Sequence, residues 1–234
     1  MTEALFVVTG ADHWTLTDGT KHPTGYWAEE LAEPHRIFRE AGFTITIATP
    51  GGVSPTVDRT SLSAAGNGGD EQRARRIGEY LDGIKAELDR PVQLEDVNPA
   101  DYDLVFVPGG HGPMEDLAVS PAAGQILTST LDAGKILGVL CHAPAALLAA
   151  ERPDGSWPFA GYRMTSFTNA EEAANGFAAQ APWLVEDRLR ALGADFVAAA
   201  PWSSHVVVDR NLYTGQNPFS SVELANTIVA AADR

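Results

Sequence analysis

Cys141 is the only cysteine in the 234-residue chain, and His142 follows it at once. A thiolate adds to carbonyl carbons, and an imidazole within reach can carry the proton that such an addition releases. The surrounding run, ILGVLCHAPAALLAA, puts Cys141 at the end of an apolar strand with no turn signal after it. Ala143–Pro144 come next, and proline suits the first turn of a helix. A residue squeezed at such a junction is a nucleophile elbow, its side chain held above the sheet. Unpaired amides at the start of the following helix favour negative charge and lower a thiol's pKa. The glycines that usually flank an elbow are replaced by Val139 and Ala143, with Gly138 one step further out. A buried structural cysteine is the competing account.

Other residues have types that suit the same chemistry. Gly109–Gly110 follow a strand ending in Pro108. Glycines there let backbone N–H groups approach a substrate and, with the amide after Cys141, form an oxyanion hole. As a base, His142 needs an elbow that turns it toward a third residue, and His205 is a rival that is distant in sequence. Glu29 and Glu30 are adjacent on the first helix, one expected to face the sheet edge and the other solvent. A partly desolvated carboxyl beside a thiol has a raised pKa and can donate or accept a proton. His13, His22, His35 and His111 have no metal-ligand spacing such as HExxH, so no metal or other cofactor is expected.

The elements that must position these residues alternate in type. ALFVVTG (4–10), FTITIATP (43–50), DLVFVPGG (103–110) and ILGVLCH (136–142) read as buried strands. RMTSFT (163–168), DFVAAA (195–200) and HVVVD with NLYTG (205–215) supply later ones. Residues 11–24 read as a polar loop, and 25–41 as a helix that Pro34 kinks or splits. APAALLAA and the closing SVELANTIVAAAD (221–233) read as helices. This alternation predicts an α/β fold, a doubly wound, mostly parallel sheet sandwiched by helices. Ligands in such folds sit at the carboxyl ends of the strands. Gly109–Gly110, Cys141 and the loop after Thr168 all fall at that edge. The whole chain, 1–234, reads as one domain with an excursion at about 51–100. In it, 51–72 is a loop over the active edge and 73–89 a helix beside the sheet.

Composition sets further bounds. Thirty-one acidic residues against sixteen basic ones give a formal charge of −15, which repels phosphate backbones and anionic lipid. Nucleic-acid and membrane partners are therefore not expected. No apolar run approaches the roughly 20 residues that span a bilayer, and a single cysteine forms no internal disulfide, so a cytoplasmic location is the default.

Five motifs, TGYWAEELAEP (24–34), FVPGGHGPMEDL (106–117), GVLCHAPAAL (138–147), SFTNAEE (166–172) and LYTGQNPFSS (212–221), occur in an order that resembles the ThiJ/PfpI superfamily. Its fold is like that of class I glutamine amidotransferases, a flavodoxin-like arrangement. The Cys–His dipeptide and the TGQNP ending resemble the branch of glutathione-independent glyoxalases and heat-shock chaperone-like proteins. That resemblance implies Cys141 as nucleophile, His142 as its partner, Glu30 as the carboxyl beside the thiol and Glu172, or Glu171, as the triad acid. It implies Gly109, Gly110 and the His142 amide as the oxyanion and substrate-binding backbone, and a homodimer. The implied reaction converts methylglyoxal, a small 2-oxoaldehyde, to lactate through a cysteine hemithioacetal, without metal or glutathione. A holding chaperone, a deglycase-like stress protein and a redox sensor are the rivals, with a cysteine peptidase or amidotransferase-like hydrolase behind them. An amidotransferase would want a His-x-Glu partner, and Val207 stands two residues after His205.

Overall fold

The structure, a computed structural model, describes residues 2–232. Along the chain, β1 (Glu3–Val7) is followed by β2 (His13–Thr15), β3 (Lys21–Pro23), α1 (Ala28–Glu40) and β4 (Thr44–Thr49). Three short 3₁₀ turns then lead to α2 (Glu71–Gly83), α3 (Lys85–Leu88), β5 (Val92–Gln93) and β6 (Leu104–Val107). Next come α4 (Gly112–Glu115), α5 (Pro121–Asp132), β7 (Ile136–Leu140) and a 3₁₀ segment, Ala143–Ala149. The chain continues through β8 (Arg163–Met164), α6 (Asn169–Asn175), α7 (Val185–Ala191) and β9 (Asp195–Phe196). It ends with β10 (Val206–Asp209), β11 (Leu212–Gly215) and α8 (Ser221–Ala232). Asp233, read from sequence as part of the last helix, lies outside the described residues.

The main sheet has seven strands in the order β10-β11-β7-β6-β1-β4-β5. Every pairing is parallel except β10 with β11, a hairpin at one edge. Both faces are covered, and successive residues alternate between two cores because side chains in a strand point to opposite faces. Leu5, Val7, Val105, Val107, Leu137 and Val139 join the core beneath α5 and the 143–149 segment. Ala4, Phe6, Leu104, Phe106 and Leu140 join the one beneath α1 and α8. This is the doubly wound α/β sheet that the strand–helix alternation predicts. From β1 the chain winds outward to β4 on one side and to β6 on the other, so the order reverses between β1 and β6. Crevices form at such a reversal.

Several local readings change. Residues 13–23 form an antiparallel hairpin rather than plain loop. Pro34 lies inside α1, which runs on as one helix. RMTSFT and DFVAAA each give only two strand residues, paired with each other outside the main sheet. Thr165 and Phe167 leave the ladder for other partners: the Thr165 amide donates to Thr214 Oγ1 at 2.9 Å, and the Phe167 amide to the Cys141 carbonyl at 2.8 Å. APAALLAA is 3₁₀ rather than α-helical. It packs against α5 at Gly124, where an added Cβ would stand 2.0 Å from the Ala149 carbonyl oxygen. Among the described residues, no helix is long and apolar enough to cross a membrane.

That backbone contact makes Gly124→Ala a test of how tightly the segment after Cys141 is held. Overpacking against backbone costs about 1–3 kcal/mol. The thermal midpoint should fall by roughly 2–12 °C. An unchanged midpoint would contradict the packing described.

Candidate active site

Cys141 leaves β7 in the left-handed conformation, φ 61°, which a residue with a side chain adopts only at a cost. Two backbone hydrogen bonds hold it there: its amide donates to the Gly215 carbonyl, and its carbonyl accepts from Phe167. The sharp turn brings His142 alongside. Cys141 Sγ lies 3.3 Å from His142 Nδ1, and His142 Nε2 lies 2.6 Å from Glu172 Oε2. Burial and the neighbouring His111 lower the His142 pKa, whereas its two histidine partners hold Glu172 well below the usual carboxylate range. A neutral His142 beside an ionised Glu172 carries its proton on Nε2, leaving Nδ1 as an acceptor toward the thiol.

Glu171 and Glu172 divide two tasks. Thr168 caps α6 through a capping box with Glu171, two reciprocal bonds that satisfy the helix start. The other oxygen of Glu171, Oε1, accepts from the Trp202 amide (2.9 Å), Gln216 Nε2 (3.1 Å) and Asn217 Nδ2 (2.8 Å). One residue on, and about 100° around the helix, Glu172 reaches His142 instead. The structure therefore brings Glu172, not Glu171, to the Cys–His pair.

The carboxyl on α1 arrives from the opposite side. Glu30 is fully buried, with Oε2 accepting the Gly109 amide at 2.8 Å and the carboxyl lying against the Cys141 thiol. Its Oε1 has no hydrogen-bond partner among the described residues. A Cβ at residue 109 would stand 2.6 Å from Glu30 Oε2, so glycine is what admits the carboxyl. The Gly109 amide is thereby spent on Glu30, leaving those of Gly110 and His142 beside the sulfur. Gly110 has φ 97° and no room for a Cβ, which would lie 2.4 Å from the Gly25 carbonyl oxygen. Glu29 does not face solvent. It is buried and ion-paired with Arg73 of α2.

Burial raises the Glu30 pKa strongly, and burial together with Glu30 raises that of Cys141. This corrects the expectation of a thiol lowered by a helix start. The Gly110 amide does favour the thiolate, but desolvation and the adjacent carboxyl outweigh it. The resting pair is thus protonated.

His111, in the GGHG run, is a site residue that sequence reasoning passed over. Its Nε2 lies 3.1 Å from Glu172 Oε1, and its ring stacks on Trp14 of β2 at 4.5 Å. The one signal was its place directly after the glycine pair. His205, the rival base, does not line the cavity over Cys141. His111, His142 and Glu172 offer ligand atoms within 4.8 Å of one another. Their N···O separations are those of hydrogen bonds, which a metal ion would have to displace.

A cavity of about 30 Å³ lies over Cys141 and His142, and a second of about 370 Å³ opens beyond it. Trp27, Asn175, Trp202 and Pro218 line both. Thr60, Ala65, Gly66 and Gly68, from the loop before α2, line the outer one with Phe219.

A sequence profile described as the DJ-1/PfpI family matches residues 24–231. The chain belongs to the DJ-1/PfpI family. Within it, glyoxalase 3 of Candida albicans is 27% identical over 241 residues, 99% of this chain and 98% of that protein. The protein/nucleic acid deglycase HchA of Staphylococcus aureus is 29% identical, covering 97% of this chain and 78% of its own. The glutamine amidotransferase-like class 1 domain-containing protein 1 of Bos taurus is 35% identical, covering 81% of this chain and 80% of its own. Among solved structures, the rapid encystment protein of Francisella tularensis superposes with a TM-score of 0.87 at 27% identity, covering 99% of each chain. DJ-1/PfpI relatives of this chain thus include a glyoxalase and a deglycase.

The contact between Glu30 and the thiol has a direct readout. Once ionised, Glu30 opposes ionisation of Cys141 beside it, and Glu30→Gln removes that opposing charge. The midpoint of its alkylation rate against pH, measured with iodoacetamide, should shift to lower pH. A midpoint unchanged from the parent protein would contradict the contact.

Proposed function

We propose that this protein is a glutathione-independent glyoxalase, converting 2-oxoaldehydes such as methylglyoxal to 2-hydroxy acids on Cys141. The observation that carries the reading is the pairing of two proton carriers around one sulfur: neutral His142, backed by Glu172, on one side and protonated Glu30 on the other. An isomerisation that moves hydrogen between adjacent carbons needs two such groups. The full-length similarity to a glyoxalase supports the same class.

The steps balance with the groups present. Cys141 Sγ adds to the aldehyde carbon as its proton passes to His142 Nδ1. The oxyanion, held by the Gly110 and His142 amides, takes the Glu30 proton to give a hemithioacetal. Glu30, now ionised, removes the hydrogen from that carbon, and His142 protonates the neighbouring ketone oxygen, giving an enediol. Glu30 then returns its proton to the second carbon while His142 takes the one on the first oxygen. The product is a 2-hydroxyacyl thioester. Water attacks it with Glu30 as base, His142 returns a proton to the departing sulfur, and the resting state is restored. Overall, one aldehyde and one water give one hydroxy acid.

Deglycase-like action is the second reading, favoured by the similarity to HchA, since attack of the same thiol on a glycated adduct begins identically. The lone cysteine and the absence of any disulfide fit action in the cytoplasm.

Purified protein should release lactate from methylglyoxal without added glutathione, and Cys141→Ala should lose at least about 10³-fold. Turnover undiminished by that change, or none by the parent protein, would overturn the proposal. The pH profile adds a sign. His142 acts as the neutral base and its pKa is depressed, so the acid limb of kcat/KM should fall below pH 6.5, the ordinary histidine value. An acid limb above that value would contradict His142 in this role.

A further inference from the structure

The two cavities differ in a way that bears on which aldehyde is used. The inner one, about 30 Å³, is far smaller than the outer one of about 370 Å³, with which it shares Trp27, Asn175, Trp202 and Pro218. A substituent on a carbonyl group held at Cys141 therefore has its room in the outer cavity. Among the described residues that cavity has no charged side chain in its wall; Thr60 and Asn175 are its polar side chains, and Trp27, Trp202 and Phe219 its aromatic ones. Arg73 lies 5.2 Å from the centre of the Phe219 ring, but it is ion-paired with Glu29 and does not line the cavity.

Trp202 carries the second observation. It stands in the left-handed conformation, φ 64°, and is 40% exposed. A bulky residue held there is strained, and such strain persists where the surroundings enforce it. The buried Glu171 enforces it by accepting the Trp202 amide. The indole packs edge-on against Phe167, which in turn stacks on His142 at 4.3 Å. A half-exposed, strained indole adds little to the core. It does form a wall common to both cavities.

Resting on the glyoxalase reading, we infer that the preferred substrates are 2-oxoaldehydes with an uncharged, ring-sized substituent on the ketone carbon, seated between Trp27, Trp202 and Phe219. Glu171 is then a positioning residue that acts through Trp202. Flat aromatic walls favour a flat apolar group, and an unpaired carboxylate placed against them would lose its hydration without compensation.

Steady-state kinetics with phenylglyoxal, 4-carboxyphenylglyoxal and methylglyoxal test this. The parent protein should show kcat/KM for phenylglyoxal about tenfold or more above methylglyoxal, the scale of a filled against an empty apolar pocket. The carboxylated analogue should fall below phenylglyoxal. Trp202→Ala and, independently, Phe219→Ala should each lower the phenylglyoxal-to-methylglyoxal ratio about tenfold, mainly through KM. A purely structural role would leave the ratio unmoved. Equal use of the two aldehydes by the parent protein, equal use of the carboxylated analogue, or an unchanged ratio in both variants would overturn the inference alone. Turnover of no aldehyde would remove the glyoxalase reading and this inference with it.

Discussion

A carboxyl group buried beside a thiol, with no cation to pair with it among the described residues, is the constraint around which this site is built. Ionised, Glu30 would bear a desolvation cost that a single backbone amide does not repay. It is therefore held protonated, and the thiol next to it is held protonated as well. Two acids that resist ionisation are of use only if a base lies close by. In the proposed reaction His142 is that base, its pKa lowered by burial and its ring oriented by a carboxylate that does ionise. Two glutamates in one site thus sit in opposite protonation states because one faces histidines and the other faces sulfur.

The scaffold supplies the close approaches that this arrangement needs. Glu30 enters because residue 109 has no Cβ, and the Gly110 turn fits under the Gly25 carbonyl for the same reason. Asp116 fixes the loop after β1 by accepting from Thr9 Oγ1 and from the Gly10 and Ala11 amides. The hairpin at 13–23 brings Trp14 against His111, so a peripheral element steadies the second histidine on Glu172. Glu171 ties α6, the loop at 202 and Asn217 into one rigid wall. Its neighbour is thereby left free for the imidazole.

Much of this was legible in the sequence, for identifiable reasons. β1, β4, β6 and β7 could be read because strands in a parallel sheet are buried on both faces and appear as nearly continuous apolar runs. The Cys–His dipeptide at a strand end pointed to the turn at Cys141. What escaped was set by tertiary contact. The 13–23 hairpin is short and polar, and β8 and β9 owe their two residues each to one another. The thiol's pKa could not be read from the helix start that follows it, because burial, and after it a carboxyl 111 positions earlier, outweigh that start. Adjacent acids are equivalent in sequence and part only when Thr168 recruits one as a cap. His111 carries no spacing signature, since its partner lies 61 residues away.

The central claim is that Cys141 carries the substrate as an acyl group at one stage of turnover. Protein quenched in acid during steady-state turnover of methylglyoxal, digested and examined by mass spectrometry, tests it most directly. The Cys141 peptide should gain the mass of one substrate molecule, and hydroxylamine should release it as a hydroxamate, the signature of a thioester. Steady lactate production with an unmodified Cys141 peptide and no hydroxamate would contradict the account.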